Sequence, residues 1–279
     1  KPRHVPAYLW RAWFNTYCLQ LNADVLKGGL FMEPTKEWLA LYEKVKEKTK
    51  SAVDFNKYFE EKEIAGMALD VMNIGLCDLP SGKVIVADPL VYLDKNCTPY
   101  LVQAPAGSYQ TEVCVVKQHD GDCARYAAVR LRFNQNRAVK FYEALIGSED
   151  LENFEEGEYF GFNVDAGLGC ICDAGINKII AEWQEKWEKE NPDGEIYNDY
   201  FCGFFKESYK QNPQYQRDGG DWINWQVPGT DYHVPFLQSG FGDGTYPVYW
   251  GFDENGKVCQ LIVQFIDIEL AYNDEDEEE

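Results

Sequence analysis

A dense run of glycines that leads into an aromatic segment is the feature that most constrains the fold of this chain. Residues 238–251 read QSGFGDGTYPVYWG, with four glycines and one aspartate. Glycines at this density let the backbone adopt positive φ and approach other groups closely, so the run predicts a constrained turn. Asn255-Gly256 follows between the apolar runs 248–252 and 258–268, and this dipeptide is the strongest local signal of a β-hairpin. The glycine-rich run therefore leads into a predicted pair of buried strands.

Patterns along the rest of the chain predict more strands and a few helices. The predicted strands are 109–116, 126–133 and 159–164, with a further hairpin between 73–79 and 83–87 that turns at Pro80-Ser81-Gly82. Apolar stripes predict two helices, over 176–187 and 197–208, each ending ahead of a proline. Runs of strands with helices grouped apart favour an α+β fold over alternating βαβ units. We expect an antiparallel β-sheet or sandwich core with N-terminal helices and a two-helix insertion.

Charge and pattern divide the chain into four predicted parts. Residues 1–31 carry a net charge of +3, which leaves −24 for the other 248 residues, since the whole chain carries −21. This break predicts an N-terminal extension over 1–31, whose role stays open, and a helical lead-in over 32–66, in which Thr35 caps the first helix. The remaining parts are a single β-rich domain over 67–272, with the helical insertion at 176–212, and an acidic tail over 273–279.

Charge, hydropathy and cysteine content exclude several classes of protein. A net charge of −21 disfavours nucleic-acid binding, which depends on Lys and Arg at the phosphates. The sequence has no run of about eighteen apolar residues and no leader of the secretory type, so neither membrane insertion nor export is predicted. Nine cysteines, scattered through predicted strands and helices, favour free buried thiols over a disulfide framework. We expect a soluble protein of the cytoplasm.

The candidate catalytic residues are Ser239 and Asp243 in the glycine-rich run, and Asp165 in a second glycine-containing segment. A hydroxyl and two carboxylates suit metal-assisted or general acid–base hydrolysis, provided that the two acids converge. The residues around Ser239 match neither the Gly-x-Ser-x-Gly elbow of hydrolases nor a phosphate-binding loop. The alternative is structural, because Asp243-Gly244 also suits a turn in which the aspartate bonds its own backbone.

Metal binding is a further interpretation of the aspartates near the predicted turns. Carboxylate oxygens are the ligands that Mg²⁺ and Ca²⁺ prefer, although the spacing matches no calcium loop and structural turns are the favoured reading. The aspartates concerned are Asp165, Asp173, Asp221 and Asp243. Zinc is disfavoured because Cys170 and Cys172 form one close pair that only the distant Cys202 and His233 would complete, so buried thiols are favoured. The sequence identifies neither a metal nor a cofactor.

A tryptophan-containing segment supplies candidate binding residues. Trp222 and Trp225, with Asp221 and Tyr246, suit the stacking of a sugar ring or a nucleobase on aromatic faces. Side chains alternate along a strand, so the two tryptophans do not share a face, and core packing is the favoured alternative. The identity of a small-molecule ligand stays open.

Several short blocks, in the same order along the chain, resemble a known family. These blocks are Leu79-Pro80-Ser81-Gly82-Lys83, Ala87-Asp88-Pro89-Leu90, Pro105-Ala106-Gly107-Ser108-Tyr109, Asn163-Val164-Asp165-Ala166-Gly167 and Ser239-Gly240-Phe241-Gly242-Asp243-Gly244-Thr245-Tyr246-Pro247. They are similar to the bacterial family of uncharacterised proteins called domain of unknown function 4241, over residues 67–268. The resemblance implies a bacterial cytoplasmic origin and supplies no activity or catalytic residues.

Three functions remain open from the sequence. Strong acidity, only three histidines and the lack of a complete catalytic motif favour a binding or interaction protein, such as an immunity protein that neutralises a basic partner. One alternative is a carboxylate- or metal-dependent hydrolase that uses Asp165 and Asp243. The other alternative is a protein that binds a sugar or a nucleobase through Trp222 and Trp225.

Overall fold

Thirteen strands and five α-helices run through residues 33–118 and 123–273, which are the residues that the computed structural model describes. These elements belong to one unit that begins at Pro34. The helices are α1 Lys36–Val45, α2 Asn56–Glu60, α3 Ala174–Glu190, α4 Cys202–Gln211 and α5 Ile268–Tyr272, with a 3₁₀ helix at Lys46–Thr49 and a π-helical turn at Tyr197–Phe201. The strands are β1 Glu63–Ile64, β2 Met67–Leu79, β3 Val84–Ala87, β4 Gly107–Val116, β5 Arg125–Arg132, β6 Lys140–Glu143, β7 Phe162–Val164, β8 Leu168–Asp173, β9 Trp222–Gln226, β10 His233–Gln238, β11 Gly244–Tyr246, β12 Val248–Phe252 and β13 Val258–Gln264. The predicted extension over 1–31 and the acidic residues of the tail lie outside the described residues.

Seven antiparallel strands form the main sheet, in the order β1-β2-β4-β5-β13-β12-β6. Val113, Val129 and Val263 pair across its three central strands, and each is at most 1% exposed. Such cross-strand ladders of β-branched side chains bury the core face of a sheet. The predicted Asn255-Gly256 hairpin is confirmed, because β12 and β13 pair antiparallel around it. The predicted α+β class with an antiparallel core is confirmed as well.

A second antiparallel sheet, in the order β3-β8-β10-β9, carries the two-helix insertion. Trp225 of β9 packs against Trp183 of α3 at 5.2 Å and against Phe201 of the π-helical turn at 5.1 Å between ring centroids. Phe201 also contacts Phe236 of β10, at 5.3 Å. The apolar stripes that predicted the two helices are therefore the surfaces that cover this sheet.

A third and much smaller sheet pairs β7 with β11 and joins two distant parts of the chain. Its register places Gly244 opposite Val164 and Tyr246 opposite Phe162. The ring of Phe162 packs against Phe265 just after β13, which anchors the small sheet on the core. This pairing determines where the glycine-rich run lies, because the run ends at β11.

The first helix begins where its capping residue predicts. The hydroxyl of Thr35 accepts the N–H of Trp38 at 3.1 Å, which satisfies one of the open donors of the first turn. Val45, at the end of α1, packs with Leu145 and Leu151 in a small apolar cluster. None of the helices in the described ranges is long and apolar enough to cross a bilayer.

The predicted hairpin between 73–79 and 83–87 is wrong, because β2 and β3 lie in different sheets. β2 pairs with β4 in the main sheet, whereas β3 pairs with β8 in the second sheet. Ser81 donates its N–H and its hydroxyl to the buried carboxylate of Asp173, at the end of β8. Gly82 adopts φ +70°, and its N–H bonds to Leu79 O. These bonds form a corner between sheets at the positions where a local turn was expected.

Two further predicted strands are shorter than their apolar patterns. The strand predicted over 159–164 begins only at Phe162, because Gly161 has φ +60° and its N–H bonds to the carboxylate of Glu143. The strand predicted over 258–268 ends at Gln264. Asp267 then caps α5 by accepting the N–H of Leu270 at 3.1 Å. In both cases a side-chain carboxylate diverts the backbone from the ladder.

Candidate functional site

Two loops from distant parts of the chain meet beside the β7–β11 pair. One is the turn 165–167 between β7 and β8, and the other is the loop 239–243 between β10 and β11. The N–H of Ser239 donates to Gly167 O at 3.1 Å, and a carboxylate oxygen of Asp243 accepts the N–H of Gly167 at 3.0 Å. Asp165 and Asp243 directly adjoin the paired positions Val164 and Gly244. The structure therefore places these two predicted site residues in adjacent loops.

A buried carboxylate that sequence reasoning did not single out holds the first of these loops. Asp88 is fully buried, and one of its oxygens accepts the N–H groups of Asp165 at 3.0 Å and Ala166 at 2.6 Å. Its other oxygen accepts the N–H of Leu90 at 2.9 Å. A buried carboxylate needs such compensation, and three N–H donors supply it. The Asp88-Pro89 dipeptide was the available signal, although nothing local reveals its distant partners.

The carboxylate of Asp165 lies at the surface and has an aromatic neighbour. The hydroxyl of Tyr92 donates a hydrogen bond to it, and this bond raises the pKa of Tyr92. Both residues are exposed, so the pair faces solvent. Tyr92 and Asp88 lie in the same connection. This one segment therefore binds the backbone of the turn 165–167 through Asp88 and the side chain of Asp165 through Tyr92.

Ser239 and Tyr246 close the second loop from the inside. Ser239 is fully buried, and its hydroxyl donates to Gly242 O at 2.7 Å. The hydroxyl of Tyr246 also contacts Gly242 O, at 2.7 Å, and Ser239 O, at 3.1 Å. The prediction that Ser239 presents its hydroxyl for chemistry is wrong, because that proton is committed to a carbonyl within the loop. Tyr246 is likewise buried and shapes the loop from beneath.

The four aspartates of the predicted cation site do not converge. Asp173 is buried as the cap of α3, where it accepts the N–H of Gly175 at 2.7 Å. Asp221 is buried in an ion pair with Arg217, at 2.7 Å. In the described ranges no group of three or more His, Cys, Asp or Glu side chains is placed to hold a metal ion. The predicted cation site is therefore not formed there.

The cysteines behave as the favoured interpretation expects. Cys170 and Cys172 are buried on β8, and burial raises the pKa of both thiols.

His233, the histidine of the disfavoured zinc set, contacts a carboxylate. Its imidazole Nδ1 lies 3.4 Å from the carboxylate of Asp78. That carboxylate also accepts the N–H of His233 at 2.7 Å. These contacts fix the start of β10.

The predicted stacking site at the tryptophans is wrong. Trp222 is 8% exposed and Trp225 is 1% exposed, so neither indole offers a face to a ligand ring. Asp221 O accepts the N–H of Gln238 at 2.9 Å, which places this segment beside the start of the second loop. The segment therefore lies beside the second loop, while its two indoles are buried in the core.

Three exposed aromatic side chains border the two loops instead. Tyr92 is 39% exposed, Tyr159 is 46% exposed and Phe241 is 57% exposed. The hydroxyl of Tyr159 donates to Thr245 O at 3.1 Å, which fixes its ring beside β11. The guanidinium of Arg125 lies 5.4 Å from the ring centre of Phe241. We call Tyr92, Tyr159, Asp165, Phe241 and Asp243 together the acidic loop face.

Two long stretches that lack Lys and Arg meet at the acidic loop face. Residues 141–177 contain nine acidic side chains and residues 218–256 contain six, and neither stretch contains Lys or Arg. The β6–β12, β8–β10 and β7–β11 pairings bring the two stretches side by side. Ten of their acids are exposed in the connecting loops: Asp150, Glu152, Glu155, Glu156, Glu158, Asp165, Asp218, Asp231, Asp243 and Glu254. Exposed carboxylates thus lie in the loops that carry the exposed aromatic rings, and the guanidinium of Arg125 lies over Phe241.

An open cleft of about 480 Å³ lies in the connection between β6 and β7. Its lining consists of Asp150, Asn153, Phe154, Glu158, Tyr159 and Phe160. Behind it the buried carboxylate of Glu143 accepts the N–H groups of Phe160 at 2.7 Å and Gly161 at 2.8 Å. Burial raises the pKa of Glu143 to about 7. The cleft shares Tyr159 with the acidic loop face, so the two features are contiguous.

The fold and these loops define a class of protein: an α+β protein with antiparallel sheets and an acidic loop face. The family described as "Protein of unknown function (DUF4241)" matches residues 77–263, more than half of the chain, and the chain belongs to this family. No curated protein and no solved structure matches the chain. The matched range includes Asp88, both loops and the cleft, so the features above belong to the family's own domain. The resemblance that the sequence blocks predicted is confirmed.

Proposed function

We propose that this protein is a binding protein whose acidic loop face docks a basic protein partner, in the way that an immunity protein neutralises a toxin. The observation that carries the proposal is the meeting of segments 141–177 and 218–256 around three exposed aromatic rings. The two segments hold fifteen acidic residues and neither Lys nor Arg. Aromatic side chains anchor protein interfaces, and complementary charge accelerates association and selects the partner.

The loops of this face are held in place by bonds to their own backbone. Asp88 fixes the turn at Asp165, and Asp243 bonds that turn through Gly167 N–H. Ser239 closes the neighbouring loop through Gly242 O. A preorganised surface loses little conformational entropy on binding, which favours affinity. Structural bonds within the loops therefore support a recognition role.

The location that we propose is the cytoplasm. The eight cysteines in the described part of the chain are free thiols. Free thiols persist where glutathione and thioredoxin keep the environment reducing. Our proposal does not include a nucleic-acid partner, because the net charge of −21 repels phosphate groups.

A capture experiment with charge-matched variants tests this proposal. The wild-type protein is immobilised, exposed to extract of the source cell at about 50 mM and about 500 mM salt, and the retained proteins are identified by mass spectrometry. We expect a basic protein that is retained at low salt and lost at high salt. Asp165→Asn with Asp243→Asn should weaken its retention, because neutral amides keep the hydrogen bonds and lose the charge.

The matched control carries the same change of charge at the opposite edge of the main sheet. Glu61 and Glu63 are exposed beside β1, whereas β6 forms the other edge. Glu61→Gln with Glu63→Gln should leave retention unchanged. Equal loss of retention in both double variants, or no basic protein retained by the wild type, would refute docking at the acidic loop face.

One observation favours a second candidate, a carboxylate-dependent hydrolase. Asp165 and Asp243 occupy adjacent loops at the surface, and the hydroxyl of Tyr92 bonds the first of them. Two neighbouring carboxylates suit general acid and base roles. Turnover of chromogenic glycosides or phosphate esters by the wild type, lost in Asp165→Asn and separately in Asp243→Asn, would support this candidate. A wild type that turns over none of these substrates speaks against it.

A further inference from the structure

We propose that the cleft between β6 and β7 is a pocket for a single arginine side chain. The inference rests on the proposed function, because the arginine would belong to the basic partner. The cleft has a volume of about 480 Å³, within the range of about 300–1,000 Å³ of small-ligand sites. This volume accommodates a guanidinium with its aliphatic stem.

Tyr159 is the exposed aromatic side chain of the cleft, and Phe160 lies beside it on the buried ring of Phe154. The ring of Phe160 stacks on that of the buried Phe154, with centroids 4.8 Å apart and an angle of 21° between the ring planes. Tyr159 adds a ring that is 46% exposed and fixed through its hydroxyl to Thr245 O. A guanidinium is planar and weakly hydrated, so it stacks on such faces more favourably than an ammonium group does.

Two exposed carboxylates supply the complementary charge. Asp150 and Glu158 both line the cleft, and none of its six lining residues is basic. An oxygen of Glu158 accepts the N–H of Glu155 at 2.8 Å, and an oxygen of Asp150 accepts the N–H of Glu152 at 3.1 Å. These bonds orient the carboxylates before a ligand arrives. Aromatic faces flanked by carboxylates are the environment that arginine selects.

The walls of the cleft are tied to the body of the protein at several points. Lys48 Nζ donates to Phe154 O at 2.9 Å, and the indole N–H of Trp38 donates to Glu149 O at 3.0 Å. Glu143 binds the backbone behind Phe160 and Gly161. The connection is therefore held from α1, the 3₁₀ helix and β6. Such support keeps the pocket open without a ligand, as a recognition pocket requires.

The test compares N-acetyl-arginine amide with its uncharged isostere, N-acetyl-citrulline amide, by NMR titration of the whole protein. We expect the arginine compound to shift the amide signals of Asn153, Phe154, Tyr159 and Phe160 saturably. The citrulline compound should bind at least about fivefold more weakly, because it lacks the charge. Equal binding of the two compounds, or shifts that map to other residues, would overturn the proposal.

Two substitutions in the cleft and one distant control test whether the arginine compound binds in the cleft. Glu158→Gln and, independently, Asp150→Asn should each weaken binding of the arginine compound about two- to fivefold, as expected for exposed ion pairs. Glu63→Gln at the distant sheet edge should leave it unchanged. If the arginine compound binds with unchanged affinity to both cleft variants, the pocket assignment fails.

Failure of the pocket can be told apart from failure of the proposed function. A partner whose retention depends on Asp165 and Asp243 but not on Glu158 leaves the docking face intact and overturns the arginine pocket. Arginine binding in the cleft without any retained basic protein has the reverse meaning: the pocket stands and the protein-docking proposal fails.

Discussion

A buried aspartate, Asp88, holds the β7–β8 turn by accepting the N–H groups of Asp165 and Ala166. Single carboxylates have this structural role at several places in the protein. Asp173 joins the corner at Ser81 to the start of α3. Glu143 binds the backbone at Phe160 and so limits β7. At the scale of residues, the sequence marks such acids as turn formers, but their partners are distant and no local pattern names them.

Removal of the Asp88 carboxylate should destabilise the protein and disturb the loop face. Asp88→Ala leaves three partly buried N–H donors without their acceptor, at a cost of about 1–3 kcal/mol in the free energy of unfolding. Urea denaturation measures this cost. The control is Asp94→Ala in the same connection, where the carboxylate is exposed and accepts the N–H of Asn96. A loss for Asp88→Ala no larger than that for Asp94→Ala would contradict the role of Asp88.

Glu143 should make stability depend on pH in a defined window. Its pKa is raised by burial from 4.5 to about 7 in the folded protein, so folding favours the protonated form. The stability present below pH 4.5 is lost progressively as the pH rises through 7. Glu143→Gln removes the charge and keeps an acceptor for both N–H groups. At pH 8 the variant should exceed the wild type by up to about 3 kcal/mol.

The measurement is the free energy of unfolding of both proteins by urea at pH 5 and pH 8. The difference in stability in favour of Glu143→Gln should be larger at pH 8 than at pH 5, because the side chain at position 143 titrates only in the wild type. An advantage that is the same at both values, or that is larger at pH 5, would contradict a raised pKa at Glu143.

At the scale of elements, local sequence signals predicted some turns and caps correctly and failed for others. The β12–β13 hairpin follows from Asn255-Gly256 and the cap of α1 follows from Thr35, because the deciding contacts lie within a few residues. The corner at Pro80-Ser81-Gly82 was predicted as a hairpin, since a turn signal does not reveal which strand becomes the neighbour. The meeting of Asp165 with Asp243 depends on the β7–β11 pairing, which no local pattern contains.

The corner at Ser81 and the start of α3 share the carboxylate of Asp173, which gives a prediction at this scale. Asp173→Ala should cost about 2–4 kcal/mol, because it removes the cap of α3 and the bonds from Ser81 together. Asp267→Ala, which removes only the cap of the short exposed helix α5, should cost about 1 kcal/mol. Urea denaturation compares the two variants. Equal costs would show that the corner does not depend on Asp173.

At the scale of the whole molecule, charge is distributed unevenly over the fold. The two stretches without Lys or Arg are distant in sequence and meet at the acidic loop face, while the Lys and Arg residues of the described chain lie outside these stretches. The sequence gives the net charge of −21 directly. It does not give this concentration on one face, nor the exposure of Tyr92, Tyr159 and Phe241, because both depend on tertiary packing.

The measurement that tests the central claim most directly is zero-length carbodiimide cross-linking of the protein in extract of its source cell. This reaction joins a carboxylate to a contacting lysine amine, and mass spectrometry identifies the linked residues. Docking at the acidic loop face predicts cross-links from Asp165, Asp243 and Glu158 to a basic protein, and none from Glu61 or Glu63. Cross-links that occur equally at all exposed acids, or that concentrate at Glu61 and Glu63, would contradict docking at the acidic loop face.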